Sequence, residues 1–366
     1  MDLNEKIYIA GHRGLVGSAI VRQLELRGFT NLLMRTHKEL DLINQAQVKS
    51  FFKQEKPDYV ILAAAKVGGI KANNTYPADF IYQNMMIEAN VINSAYENKV
   101  KRLLFLGSTC IYPRDCPQPI TEASLLSGPL EPTNEAYALA KIAGLKLCQY
   151  YRRQHGLTYH SAMPTNLYGI NDNYHPENSH VLPALIRKFH EAKVSNTDAV
   201  MIWGDGSPER EFLYADDLAE ALVYLLKNYN EKQFVNVGYG SDISIKDLAH
   251  SIKEVIGYTG KMNFDSSKPN GTPKKQLDVS KINKLGWKAS ISLEDGIQSV
   301  CSILDDEFLA EIQRMPHRNL AVELLEKLLN GFKLVLGFFM EKVFIYTPIF
   351  ELILQHLQFF TPKNML

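Results

Sequence analysis

The 366-residue chain predicts an α/β protein built on a doubly wound parallel sheet, with a smaller α/β lobe and an extra C-terminal helical tail. Three observations carry this expectation. Short apolar runs (KIYIAG, NLLMR, DYVILAAA, RLLFLGS, TYHSAMP) alternate with helix-patterned segments over about the first 170 residues, the rhythm of stacked βαβ units whose parallel strands are covered on both faces. A glycine-rich turn follows the first run and opens a helix. From about Asn171 the alternation gives way to polar, Pro- and Gly-punctuated stretches (NDNYHPENSH, WGDGSPERE, SSKPNGTPKK) set between shorter helices, as in a ligand-binding lobe made of loops.

Taken in order, the helices of the first part each carry a start signal. They are expected over Leu15 to Arg27 after the glycine turn, Pro77 to Asn98 with proline at the first position, and Asn134 to His155. Residues 1–170 are thus expected to form a dinucleotide-binding domain, and 171–304 mainly a substrate lobe with some segments returning to the first domain. Residues 305–366 would form an apolar helical extension. In that tail, Leu324 to Gly337 and Val343 to Phe359 show apolar residues at helical spacing, interrupted by Lys333, Glu341, Lys342 and Glu351. No uncharged run reaches the about 18 residues of a spanning helix. Packing on the core, burial in an oligomer interface and lying in a membrane surface stay open for it.

Composition narrows the function. A hydrophobic fraction of 46% supports a sizeable core, and 40 Lys and Arg balance 40 Asp and Glu, so no global field favours nucleic acid or an anionic membrane. Any anionic ligand must be gripped locally. Cys110, Cys116, Cys148 and Cys301 show neither CxxC spacing nor a histidine cluster, so neither a metal site nor a disulfide framework is expected and a reducing cytosol fits. The start MDLNEKIYIAG carries charge immediately before a strand and lacks the pattern of a signal peptide.

The glycine turn is Gly11-His12-Arg13-Gly14-Leu15-Val16-Gly17, in the strand–turn–helix setting of a Rossmann-type dinucleotide site. Its glycines permit the tight turn and close approach of a pyrophosphate, and the helix N-terminus offers free N–H groups to the anion. The second strand ends Met34-Arg35-Thr36-His37. Arg35 and Arg13 suit a 2′-phosphate and no carboxylate is expected beside them, which favours NADP(H). Two solvated surface arginines are the plainer alternative.

Tyr137 and Lys141 lie one helical turn apart on a common face, and a nearby cation is expected to lower the phenol pKa and ready it for proton exchange with a carbonyl oxygen. Ser108 ends the fourth strand about 30 residues earlier. In this order, glycine loop, strand-end serine and Tyr–Lys pair, the chain resembles the extended short-chain dehydrogenase/reductase family acting on nucleotide sugars. That resemblance implies that Ser108 polarises the substrate oxygen, Tyr137 is the acid and Lys141 orients the nicotinamide ribose.

Cys110 is surplus to such a reductase. If the chain stays extended past Ser108, residues two apart face the same way and the thiol shares the serine's cleft. A thiol beside a cation takes a proton from carbon next to a carbonyl, and inversion needs an opposing acid. The loop with His175 and His180 supplies candidates, His180 standing just before a helix. A small buried hydrophobe is the alternative role of the thiol.

The segments AAAKVGG (Ala63 to Gly69), ANNTYPADFIYQN (Ala72 to Asn84), GSTCIYP, MPTNLYG, HPENSHV and REFLYADD are similar to those of the family's bifunctional epimerase-reductases of GDP-4-keto-6-deoxy-D-mannose. The resemblance runs from about Lys6 to about Ser302. It implies epimerisation at C3 and C5 by Cys110 and His180, then reduction of the 4-ketone by NADPH with Tyr137 as proton donor. It also implies that Leu106, Gly107, Ser108, Thr109, Lys141, Pro164, Thr165, Asn166, Leu167 and His180 border the cofactor, that Lys188, Trp203, Arg210 and Asn270 hold the GDP-sugar, and that the chain forms a homodimer through helices flanking the Tyr–Lys segment. Lys188 replaces a usual Arg, Asn270 a frequent Asp and His37 a second 2′-phosphate Arg. Another nucleotide-sugar epimerase or dehydratase of this fold is the nearest alternative; a non-catalytic dinucleotide-binding scaffold is the other.

Overall fold

The computed structural model describes residues 1–175, 179–268 and 270–302. The expected tail over 305–366 therefore lies outside the described residues, as do three residues of the His175–His180 loop. The central sheet contains β1 (Ile7–Ala10), β2 (Leu32–Leu33), β3 (Tyr59–Leu62), β4 (Arg102–Leu106), β5 (Thr158–Pro164) and a returning strand, Val235–Val237. All are parallel, in the order β2-β1-β3-β4-β5 followed by Val235–Val237. The five apolar runs of the sequence become β1 to β5, although NLLMR contributes only two residues.

These strands read as continuously apolar because both faces are buried. Ile7, Ile9, Ile61 and Leu104 enter a core with residues of α1 (Leu15–Leu26), whereas Tyr8, Val60, Leu62 and Phe105 enter one with α2 (Gln45–Glu55). The helices α3 (Ile70–Thr75), α4 (Pro77–Glu97) and α5 (Glu135–His155) follow. Proline opens α4, and α5 stops at Gly156, whose φ of +70° suits a left-handed cap. Helix α4 and helix α5 add Val91, Ile92 and Leu145 to the second core.

After β5 the chain supplies α6 (Val181–Val194), α7 (Ala215–Asn228) and α8 (Ile245–Ile256). Helix α7 packs beside α1, joined to it by a bidentate pair in which Arg22 donates to Asp216 at 3.0 and 2.8 Å. The lobe strands Glu209–Tyr214, Asp242–Ser244 and Lys274–Lys275 form a second sheet, and Asn166–Tyr168 pairs with Glu209–Tyr214. A third pair joins Ala199–Trp203 to Lys261–Asp265. Glu211, fully buried, accepts from Gly240 N at 2.7 Å and Leu277 N at 2.8 Å, while its carbonyl accepts from Thr165 and Asn166 at the end of β5. Contacts of this kind make Met1–Ile303 one compact unit. Among the described residues no helix is long and apolar enough to cross a membrane.

The order of the sheet reverses about β1, with β2 on one side and β3 on the other. The crevice at the carboxyl ends of β1 and β3 is where such sheets bind ligands.

Candidate active site

The turn after β1 is shaped for a diphosphate. Gly11 has φ +88°, its carbonyl accepts from Gly14 N at 3.0 Å, and a Cβ at Gly17 would stand 2.0 Å from that same carbonyl oxygen. Gly14 caps α1 without any side-chain hydrogen bond, so first-turn N–H groups are left for an anion. A Cβ at Gly14 would meet only Gly11 O, at 3.6 Å, which leaves the approach open. The enclosed Nδ1 of His12 has no hydrogen-bond partner among the described residues. Burial, assisted by Arg13, holds the His12 imidazole below its ordinary range. Leu15 and Val16 pack partly buried against the core beneath the loop. These features fit a dinucleotide.

The end of β2 differs from expectation. Arg35 is tied back to the protein, donating to Glu55 at 2.7 Å and to the Met34 carbonyl at 2.9 Å, with its guanidinium 5.7 Å from the Phe51 ring centroid. Nor is the place free of carboxylate. Glu39 accepts from Thr36 N at 2.7 Å and Thr36 Oγ1 at 2.8 Å, and these bonds, aided by Arg35 and Arg13, hold it below the usual carboxylate range. The turn brings Glu39, six residues past the strand's last residue Leu33, back onto Thr36, so a search along the strand alone misses it. His37 is exposed and lies 3.8 Å from Asp41.

Strand β4 stops at Leu106, and the chain then turns. Ser108 caps the single turn Thr109–Ile111, its Oγ accepting from Cys110 N at 3.3 Å. Extended alternation therefore does not place Cys110; the turn does. It brings the sulfur to Asn134, whose Nδ2 donates to Sγ at 3.4 Å. Tyr112 secures the far side of the turn by donating to Asn236 in the returning strand.

Burial pushes the Tyr137 phenol above its ordinary pKa, with Cys110 and Glu88 adding to the rise and Ser108 opposing it. This reverses the lowering expected from Lys141. The ammonium, 5.8 Å from the Tyr137 ring centroid, is bound elsewhere: Lys141 Nζ donates to the Leu106 carbonyl at 3.1 Å and lies 3.1 Å from Glu88 Oε1. Both charged side chains are all but excluded from water. Burial raises the Glu88 carboxyl to about 7 against the pull of Lys141. A rising Tyr137 pKa keeps the phenol protonated at neutral pH, which suits a proton donor.

Two residues of this group were not read from the sequence. Asn134 looks like an ordinary helix cap, although it makes no side-chain cap bond. Glu88 has a visible signal, because Phe80, Asn84, Glu88 and Ile92 form one buried stripe of α4 and a carboxylate interrupts it. Asn84, four residues earlier, braces the AAAKVGG loop through Lys66 N at 2.8 Å and Lys66 O at 3.0 Å.

The other expected residues fall into two groups. Pro164 ends β5, Thr165 donates its backbone N–H to Val237 O at 3.0 Å, and Leu167 packs partly buried; with Gly107 and Thr109 they line the carboxyl ends of β4 and β5. His180 caps α6, and desolvation holds its imidazole below its ordinary range even though its surface is open to solvent. No hydrogen bond or ring contact joins its side chain to Cys110 among the described residues. In the lobe, the Trp203 ring is 66% exposed, with Lys188 Nζ 5.4 Å and Lys268 Nζ 5.7 Å from its centroid. Desolvation lowers the Lys188 pKa. Arg210 donates to the Glu209 carbonyl at 2.7 Å beside Gly271, and Asn270 Oδ1 accepts from Asp205 N at 2.9 Å, holding the turn after Trp203.

Residues 7–238 match the NAD dependent epimerase/dehydratase family. Residues 294–332 match a second description, Type I restriction enzyme HindI endonuclease subunit-like, C-terminal, which touches none of the site residues. A putative GDP-L-fucose synthase 2 of Arabidopsis thaliana is 63% identical over 81% of this chain and 90% of its own. The GDP-L-fucose synthase of Escherichia coli strain K12 is 56% identical over 81% of this chain and 95% of its own. A solved GDP-L-fucose synthetase of Naegleria fowleri, bound to NADP, superposes with a TM-score of 0.79 at 28% identity, covering 84% of this chain and 96% of that one. With a glycine loop on the switch strand, a Ser–Tyr–Lys group at β4 and α5, and relatives matched along nearly their whole length, the chain belongs to the NAD dependent epimerase/dehydratase family, within its GDP-L-fucose synthase branch.

Proposed function

We propose that the chain converts GDP-4-keto-6-deoxy-D-mannose into GDP-L-fucose, epimerising C3 and C5 and then reducing the 4-ketone with NADPH. One observation carries the reading: Cys110 shares a half-buried neighbourhood with Ser108 and Tyr137, its backbone N–H donating to Ser108 Oγ at 3.3 Å and its sulfur accepting from Asn134 Nδ2 at 3.4 Å, three residues before Tyr137. A plain reductase has no use for that thiol.

In the proposed sequence Ser108 and Tyr137 donate hydrogen bonds to the substrate ketone oxygen. Cys110, as thiolate, removes the proton from the adjacent carbon, and the electron pair of the broken C–H bond moves into the enolate. His180, as imidazolium, returns a proton to the opposite face, and the carbonyl re-forms. Thiol and imidazole then exchange protons with solvent to reset. Once both centres are inverted, Tyr137 transfers its phenolic proton to O4 as the ketone is reduced; NADPH, when bound, would supply the hydride for C4. Lys141, held by the Leu106 carbonyl and Glu88, would hold the cofactor ribose. The Gly11–Gly17 loop would hold the pyrophosphate, and Arg13 and Arg35 would face the adenosine end of the cofactor.

For the nucleotide half, Trp203 stacks on guanine, Lys188 and Arg210 meet the diphosphate, and Asn270 steadies the turn below it. A homodimer through α4 and α5 accounts for Tyr82, Met85, Leu139 and Tyr150, apolar side chains that these helices leave exposed. A reducing cytoplasm suits a set of cysteines with neither CxxC spacing nor a histidine cluster.

Incubation with GDP-4-keto-6-deoxy-D-mannose and NADPH in deuterated water tests the reading. Deuterium should enter C3 and C5 as NADPH is consumed. Cys110→Ser should slow deuterium entry by about 10²-fold or more, and Tyr137→Phe should slow NADPH oxidation comparably, as loss of a general acid or base does. NADPH oxidation without deuterium entry would remove the epimerase half.

A further inference from the structure

We propose that Asn134 is a positioning residue for Cys110: its side-chain N–H holds the sulfur and stabilises the thiolate that the epimerisation requires. The inference rests on the epimerase reading and adds a residue to it.

The geometry is direct. Asn134 Nδ2 lies 3.4 Å from Cys110 Sγ, and an N–H donor gains most when its acceptor is ionised. The side chain stands where an asparagine ordinarily accepts a hydrogen bond from the first turn of its helix. Here it makes none. Its Oδ1 is enclosed and has no partner among the described residues, an arrangement that costs stability and calls for a compensating use. The preceding turn is capped instead by Glu131, whose carboxylate accepts from Thr133 N at 3.4 Å and Thr133 Oγ1 at 3.2 Å. Asn134 is thus released from capping and directed at the thiol.

Its position also joins the two chemical halves of the site. Asn134 immediately precedes the 21-residue helix α5, and Tyr137 lies three residues further on, so amide and phenol rise from one helical turn. The sulfur, gripped by the cap residue, sits at the positive end of that helix, which favours an anion. Negative charge on Cys110 in turn raises the Tyr137 pKa. A thiolate held here therefore adds to the burial that keeps the phenol protonated.

Asn134→Asp separates this role from capping. Aspartate has the same shape and caps helices as well as asparagine, but it presents no N–H and sets a carboxylate against the sulfur. Two measurements apply. The first is the rate of Cys110 alkylation by iodoacetamide at pH 7.5, read at the Cys110 peptide by mass spectrometry with no substrate present. The second is deuterium entry at C3 and C5. Both should fall about tenfold or more in Asn134→Asp, the size expected for a hydrogen bond to a charged acceptor, with the melting temperature no lower than the parent's. Asn134→Ser, which preserves a good cap yet cannot reach the sulfur, should show the same two losses. Parental alkylation and exchange rates in either folded variant would overturn the proposal. If the parent protein consumes NADPH but admits no deuterium, the epimerase reading fails instead, and the alkylation rates still decide whether Asn134 governs the thiol.

Discussion

Replacing Glu88 by glutamine should change the pH dependence of stability in a direction opposite to simple ion-pair intuition. The Lys141 ammonium is 3.1 Å from Glu88 Oε1, with the two side chains 3% and 2% exposed. At an effective dielectric constant of about 20, that distance corresponds to an attraction of about 5 kcal/mol. Burial nevertheless raises the carboxyl from 4.5 to about 7, so desolvation of the carboxylate outweighs the pairing. Between those values the unfolded chain has lost the proton and the folded chain keeps it. The folded state binds more protons in this window, so the contribution of Glu88 is fully present below pH 4.5 and is lost as pH rises through about 7. The rise corresponds to about 3 kcal/mol. Glutamine does not titrate. Urea unfolding of the parent and of Glu88→Gln at pH 5 and pH 8 should therefore show the parent losing about 3 kcal/mol relative to the variant. A difference that is flat, or that grows in favour of the parent at pH 8, would show that Lys141 wins and would refute the reasoning. Turnover should fall in the variant even at pH 8, because Lys141 loses the carboxylate that fixes it beside the Leu106 carbonyl and the Tyr137 ring. Full activity there would leave the buried pair without a functional reason.

Three other perturbations test separate parts of the site. Gly17→Ala places a methyl 2.0 Å from the Gly11 carbonyl; overpacking of about 1–3 kcal/mol should weaken NADPH binding tenfold or more in a fluorescence titration while far-ultraviolet dichroism stays unchanged, and undiminished affinity would mean that the loop does not hold the pyrophosphate. Glu39→Gln removes the carboxylate near Arg13 and Arg35, so the ratio of kcat/KM with NADPH to that with NADH should rise severalfold; an unchanged ratio would place the 2′-phosphate elsewhere. Trp203→Ala deletes an exposed ring flanked by two ammonium groups. Base stacking of about 1–3 kcal/mol predicts a KM for the GDP-sugar at least about fivefold higher with kcat little changed, and a loss confined to kcat would argue against a binding role.

What the sequence disclosed and what it hid divide by the range of the forces involved. The β1 run could be read because Ile7 and Ile9 face one core and Tyr8 the other, leaving a local apolar signature. The glycine loop was legible because its turn and the cap of α1 involve only Gly11, Gly14 and Gly17. The ionic character of the site was not legible in this way. Lys141 finds Glu88 across the α4–α5 contact, 53 positions away in the chain, and the Tyr137 phenol answers to that enclosure more than to the lysine one turn along its own helix. Sequence spacing names neighbours without saying which of them is already neutralised. Asn134 shows the same limit in sharper form, since a cap residue is recognised by its place before a helix, and only the fold shows that its N–H is spent on a sulfur 24 positions earlier instead of on the helix it begins. The epimerase reading thus gains most where local rules fail: a capping residue that caps nothing is free to serve the thiol, and that freedom distinguishes this site from one needing only Ser108, Tyr137 and Lys141.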